Sequence, residues 1–169
     1  MKKIMMILSS FLIGATNADS VKDFLENSIK EKRQFVLEND GTSNCPMNVS
    51  LAVSSSSDQE DKGRKPEDLD FRITKLISGN HFTYRPDQQE GKKIVISKGT
   101  DFNLGVTRYQ TTQLVERSVL TTITKNTGIS LFSRGSRVFT KVIDTTNATI
   151  EVSIVDNGVE ELSCFYVLE

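Results

Sequence analysis

The chain has 169 residues, of which 21 are Lys or Arg and 22 are Asp or Glu, so its formal net charge is −1. A nucleic-acid-binding protein needs a basic face, so this balance predicts that nucleic acid is not the partner. Beyond the N-terminus, no stretch is apolar for long enough to predict a membrane span. The length suits one domain with a hydrophobic core.

The N-terminus, MKKIMMILSSFLIGATNADS, has the three parts of a secretory signal peptide. Lys2 and Lys3 precede a short apolar run, and the small residues of 16–18 follow it. We therefore predict a bacterial-type signal peptide at residues 1–18 and a periplasmic or secreted protein. No cysteine follows the apolar run, so no lipoprotein anchor is predicted. Removing Lys2 and Lys3 leaves 19 basic residues against 22 acidic ones, a net charge of −3.

Residues 20–38 predict one amphipathic helix. Its apolar side chains follow the three-and-four spacing of a single helical face: Val21, Phe24, Leu25, Ile29 and Val36. Asp19 or Ser20 can cap the start, and Asn39–Gly41 supplies a stop. We assign residues 19–41 to this helix with a linker, and residues 42–169 to an antiparallel β-domain.

After Gly41 the apolar spacing changes from that of a helix to that of a strand, beginning with a strand at 45–54. Residues 54–68 have no apolar side chain and many charges, which predicts a mobile loop. Further strands are predicted at 69–74, 81–85, 92–97, 102–109, 113–124, 129–143, 150–154 and 159–168. Lys125–Gly128 is expected to end one strand, Gly135 to mark a bulge or a turn, and Asn157–Gly158 to form a hairpin turn.

Two cysteines are present, Cys45 at the start of the first predicted strand and Cys164 in the last. Export exposes a protein to an oxidising compartment, so we predict one disulfide between them, with two free buried thiols as the alternative. For a closed loop of about 120 residues, the chain-entropy account gives about 5 kcal/mol of stabilisation. The disulfide would join the two ends of the β-domain.

The strands predict a mainly β fold of eight or nine antiparallel strands, a barrel or a sandwich, preceded by one N-terminal amphipathic helix. In strand count and terminal disulfide, this plan resembles small exported β-barrels of the lipocalin-like type and bacterial periplasmic lysozyme inhibitors. The likeness implies architecture only, because the chain has no Trp for the Gly-x-Trp stretch of many lipocalins. Inward-facing positions are expected to line a cavity or fill a core: Met47, Val49, Leu51, Phe71, Ile73, Ile150, Val152 and Tyr166.

The sequence offers few groups for bond chemistry. His81 is the single histidine, and neither a G-x-S-x-G stretch nor a phosphate-binding glycine loop is present. We therefore assign no catalytic residue, no cofactor and no metal site. The predicted function is a non-catalytic binding module for a small apolar ligand or for an envelope or extracellular protein. An envelope structural or assembly protein is the alternative, followed by a hydrolase.

Overall fold

The structure of the protein is a computed structural model, which describes residues 17–38, 44–54, 65–102, 105–130 and 134–169. They form one helix and eleven strands: α1 (Asn17–Lys30), β1 (Phe35–Leu37), β2 (Asn48–Val49), β3 (Leu51–Val53), β4 (Leu69–Ile73), β5 (His81–Tyr84), β6 (Ile94–Asp101), β7 (Gly105–Glu116), β8 (Val119–Ser130), β9 (Arg134–Asp144), β10 (Thr149–Asp156) and β11 (Val159–Leu168). The protein is mainly β with one helix, as the sequence predicts. Most of the predicted signal peptide and of the loop predicted at 54–68 lies outside the described residues.

Two antiparallel sheets make up the β structure. The large sheet has eight strands in the order β2-β1-β11-β10-β9-β8-β7-β6, and the small sheet has the order β3-β4-β5. Among the described residues, the edge strands β2 and β6 do not pair with each other, so the large sheet is not a closed barrel. Of the two architectures that the sequence left open, the sandwich-like plan is therefore the one that fits.

The helix ends at Lys30, earlier than the predicted Glu38. Lys32 follows with a φ of 55°, and its N–H donates to the Ile29 carbonyl over 3.1 Å. The Arg33 N–H donates to the Ser28 carbonyl over 2.9 Å. These two hydrogen bonds are those of a Schellman motif, which satisfies carbonyls at the helix end and turns the chain out of the helix.

The residues predicted as the last helical turn instead form β1, which lies between β2 and β11 in the large sheet. Phe35 is opposite Leu168 of β11 and Val49 of β2. Backbone pairing on both sides outweighs the helical spacing of Val36, a β-branched residue that suits a strand. The segment assigned to helix and linker therefore contributes a strand to the large sheet.

The predicted strand at 45–54 is two strands, one in each sheet. Ser50 separates β2, which pairs with β1, from β3, which pairs with β4. Its hydroxyl lies 2.9 Å from the Thr74 hydroxyl, and its carbonyl accepts a hydrogen bond from the Thr74 N–H over 2.8 Å. Ser50 is thus the point at which the chain crosses between the sheets.

The strand predicted at 113–124 contains a turn. Arg117 and Ser118 both have positive φ, 49° and 67°, and connect β7 to β8. Two positive φ values favour Asn and Gly, and neither residue occurs here, so no local signal predicts the turn. Residues 125–128, predicted to end a strand, instead continue β8 in register with β7 and β9.

The hairpin turn predicted at Asn157–Gly158 is confirmed, whereas the bulge or turn predicted at Gly135 is not found. Asn157 and Gly158 have φ values of 51° and 84° and form the turn between β10 and β11. Gly135 lies inside β9, opposite Gly128 of β8 and in unbroken register with it, because the pairing with β8 continues on both sides of the glycine. The connection between β8 and β9, at 131–133, lies outside the described residues.

The hydrophobic core lies between one face of the large sheet and a second layer made of α1 and the small sheet. Along β10, Ile150, Val152 and Ile154 are buried and Glu151 is exposed, which is the alternation of a sheet covered on one face. The second layer contributes further buried residues to the same cluster: Val21, Leu25, Leu51, Phe71, Ile73, Phe82 and Tyr84.

Candidate functional site

Cys45 and Cys164 form the disulfide that the sequence predicts, with an S–S distance of 2.00 Å and Cα atoms 5.8 Å apart. Cys164 is fully buried in β11, and Cys45 lies just before β2. In the large sheet β1 lies between β2 and β11, so the disulfide reaches across β1. It joins the start of the β-region to its end.

Seven of the eight residues expected to line a cavity or core belong to the hydrophobic cluster: Val49, Leu51, Phe71, Ile73, Ile150, Val152 and Tyr166. Met47 departs from this expectation, since it is 72% exposed. It precedes the edge strand β2, and its carbonyl accepts a hydrogen bond from the Leu37 N–H over 2.9 Å. Its backbone is therefore held at the edge of the sheet while its side chain faces solvent.

A surface groove of about 240 Å³ lies between α1 and the small sheet. Four apolar side chains line it: Ile29 of α1, Val53 of β3, and Leu69 and Phe71 of β4. Val53 is 66% exposed, whereas Phe71 is almost fully buried, so the groove descends from an open rim to the core. We define these four residues as the groove lining.

The groove lies where the apolar face of the helix meets the apolar face of a strand. Residue Ile29 lies on the apolar face of α1, and Leu69 and Phe71 lie on one face of β4. Phe71 stacks on Phe82 of β5, with ring centroids 5.5 Å apart, and this contact holds Phe71 at the bottom of the groove. The helix and the sheet do not fully cover each other's apolar faces, and the uncovered part is the groove.

Three charged side chains also line the groove: Glu26 and Lys30 of α1, and Asp70 of β4. The Glu26 Oε1 atom lies 3.8 Å from Lys22 Nζ, one turn earlier in the helix. The Asp70 carboxylate accepts a hydrogen bond from the Thr83 hydroxyl over 2.8 Å. The groove thus combines an apolar lining with two carboxylates and one ammonium group.

A second cavity, of about 200 Å³, lies where residues 76–78 meet β9 and β11. Arg137 and Glu161 form an ion pair in its lining, and the Arg137 guanidinium lies 5.5 Å from the Phe139 ring centroid. Ile77, also in its lining, is 92% exposed. Because the lining of this cavity is more polar than that of the groove, it is the weaker candidate for an apolar ligand or side chain.

His81 is exposed at the start of β5. The Ser54 hydroxyl lies 3.0 Å from its Nδ1 atom. Within the described ranges, no acidic side chain contacts His81, so the structure shows no acid that would orient the ring as in a hydrolytic triad. The contact is a hydrogen bond at the surface.

In the described residues, no group of three or more His, Cys, Asp and Glu side chains could hold a metal ion. None of the helical structure described reaches the length and apolar character that a bilayer crossing requires. Comparisons of the chain with protein-family models, curated proteins and solved structures find no match.

Sequence reasoning identified the members of the groove lining as apolar positions but did not bring them together. The sequence places Ile29 on the apolar face of the helix and Phe71 among the inward positions, and Val53 and Leu69 fall within the strands predicted at 45–54 and 69–74. The groove depends on how α1 crosses β3 and β4, and no local signal in the sequence specifies that crossing.

Proposed function

We propose that this protein is an exported, non-catalytic binding module whose groove receives an apolar side chain of a protein partner. The supporting observation is an open groove with four apolar residues in its lining, beside a core that six of the other predicted residues fill, Met47 being exposed. Of the residues predicted to line a cavity, Phe71 lines the groove, and none lines the second cavity described above.

The size of the groove favours a side chain over a larger ligand. Sites for drug-sized ligands usually measure about 300–1,000 Å³. The groove, at about 240 Å³, lies below that range and is open at the exposed Val53 side chain. A single large apolar side chain buried in such a groove is the usual anchor of a protein interface.

The charges around the groove indicate which residue of the partner should stand next to the apolar anchor. Glu26 and Asp70 provide two carboxylates, and Lys30 provides one ammonium group. An apolar anchor followed by Lys or Arg would place its positive charge near these two carboxylates, of which Glu26 also faces Lys22, and would accelerate association. The partner that we propose is therefore a segment with a large apolar residue next to a basic one.

Export is the second part of the proposal. Residues 1–18 would be removed as a signal peptide, and residues 19–169 would function in the periplasm or outside the cell. The disulfide supports this assignment, since disulfides persist in oxidising compartments.

Peptide selection against the full mature chain tests the binding function. We expect a random displayed peptide library to yield peptides with one large apolar residue beside Lys or Arg. Val53→Asp should weaken their binding about tenfold or more, because it places a carboxylate in the groove lining. Val159→Asp is the matched control, since Val53 and Val159 are both 66% exposed and Val159 lies away from the groove.

Two outcomes would overturn the proposal. One is a selection that yields no such motif, or peptides that bind both variants equally. The other is an apolar small molecule that copurifies with the wild-type protein in native mass spectrometry and is absent from the Val53→Asp protein. That result would assign the groove to a small ligand in place of a protein segment.

A further inference from the structure

A row of polar side chains crosses the covered face of the large sheet. Gln113 of β7 lies directly opposite Thr122 of β8, and Thr122 lies directly opposite Lys141 of β9. Their exposed fractions are 0%, 1% and 3%. The neighbouring row on the same face is apolar, with Leu120 opposite both Val115 and Ile143. Three adjacent polar residues in a hydrophobic core require a physical reason.

For Gln113 the reason is a set of hydrogen bonds within the protein. Its amide group donates to the Arg85 carbonyl over 3.3 Å and to the Gln88 side-chain oxygen, and its own oxygen accepts from the Arg85 N–H over 3.2 Å. Arg85 directly follows β5. Gln113 therefore connects the small sheet to the large one, and its hydrogen-bonding groups are occupied.

Thr122 and Lys141 have no such explanation. The Thr122 hydroxyl is buried and has no hydrogen-bond partner. No hydrogen bond or ion pair joins the Lys141 ammonium group to another residue in the part of the chain that the structure describes. Burial lowers the pKa of Lys141 to about 8, since an apolar surrounding disfavours its charged form. Lys141 as a residue is 3% exposed, and an ammonium group that an apolar surrounding shields from water without a counter-charge costs free energy.

We propose that Thr122 and Lys141 form an internal site for the carboxylate group of a ligand. Directly opposite residues of an antiparallel pair have Cβ atoms about 4.5–5.5 Å apart, so both side chains can reach one group. The Thr122 hydroxyl donates to one carboxylate oxygen and the Lys141 ammonium group to the other. One negative charge neutralises one positive charge, whereas a doubly charged phosphate would leave a net charge buried.

This site is independent of the proposed function, because none of the groove residues belongs to the row. The carboxylate can come from a short free acid or from the end of an acyl chain. Acetate and octanoate distinguish these sources. Tighter binding of octanoate would show that the ligand extends from the site as an apolar chain, and equal binding would show that a short carboxylate suffices.

The decisive measurement is the pKa of Lys141 in the full mature protein, read from its side-chain NMR signal. Sodium acetate should raise this pKa by about 1 to 3, since a nearby opposite charge favours the ammonium form. Sodium chloride at equal ionic strength should raise it much less. The signal is assigned by its loss in Lys141→Met, and Thr122→Val should reduce the acetate effect.

An unchanged Lys141 pKa in both acetate and octanoate, or an equal rise in chloride, would overturn the inference. If Lys141→Met does not fold, Thr122→Val and the wild-type titration still decide the matter. Val53→Asp should leave the titration unchanged, so failure of the groove proposal and failure of this site are distinguishable.

Discussion

Arg85 and Asp68 form a buried ion pair with two hydrogen bonds, each of 2.7 Å: Nε to Oδ1 and Nη2 to Oδ2. The Asp68 side chain is fully buried, and that of Arg85 is 9% exposed. The pair joins the residue before β4 to the residue after β5, and Gln113 connects Arg85 to the large sheet. It therefore fixes the small sheet, which forms one wall of the groove.

Asp68→Ala should lower the free energy of unfolding by about 3–5 kcal/mol, because it leaves the Arg85 guanidinium buried without its counter-charge. Chemical denaturation at neutral pH measures this loss. Glu67→Ala is the control, since the Glu67–Lys65 pair is surface-exposed and its loss should cost about 1 kcal/mol or less. Equal effects of the two substitutions would contradict the importance assigned to burial.

Lys141→Met should stabilise the protein at pH 7 in buffers without carboxylates. The pKa of Lys141 is lowered from 10.5 to about 8, which corresponds to a cost of about 3 kcal/mol. Met has similar length and no charge, so it removes that cost. Lys125→Met, at an exposed position in β8, should change the stability little.

The same lowered pKa predicts how stability depends on pH. Between about pH 8 and 10.5 the unfolded chain binds a proton at Lys141 that the folded chain has released, so stability rises with pH across this interval. Below pH 8 the cost is present in full and constant. The difference in unfolding free energy between wild type and Lys141→Met should therefore shrink as pH rises above 8. A pH-independent difference would contradict the prediction.

Removing the disulfide should cost about 2–5 kcal/mol of stability, because the bond closes a loop with a sequence separation of 119 and restricts the unfolded chain. Denaturation of Cys45→Ala, compared with the oxidised wild type, measures the loss. Reduced wild type should match Cys45→Ala closely. A reduced protein as stable as the oxidised one would show that the sheet pairing of β1 suffices to hold both ends.

Lys32→Gly should stabilise the protein by about 0.5–1 kcal/mol, since Lys32 has a φ of 55°, which glycine adopts without steric cost. Lys22→Gly is the control and should destabilise by about 1 kcal/mol, because Lys22 lies inside α1. Thermal or chemical unfolding distinguishes the two signs. A loss of stability in Lys32→Gly would show that the helix does not end in the Schellman motif.

Features of the fold that depend on neighbouring residues were predictable from the sequence. Alternation of Ile150, Val152 and Ile154 predicted a strand covered on one face, and Asn157–Gly158 predicted the hairpin that follows. The pairing of Cys45 with Cys164 followed from there being two cysteines. The strand and the hairpin turn follow from conformational preferences that act within the segment. The disulfide pairing follows from chain composition, which does not depend on packing.

Other features were decided by contacts between distant segments. Val36 fits a helical spacing, but pairing with β2 and β11 places it in a strand. Ser50 interrupts a regular alternation because the two sheets that it connects lie in different layers. Lys141 lies between Phe139 and Ile143 on one face of its strand, and the covering layer of α1 and the small sheet makes that face the core. The groove and the buried lysine therefore arise from packing between layers, which local sequence signals do not specify.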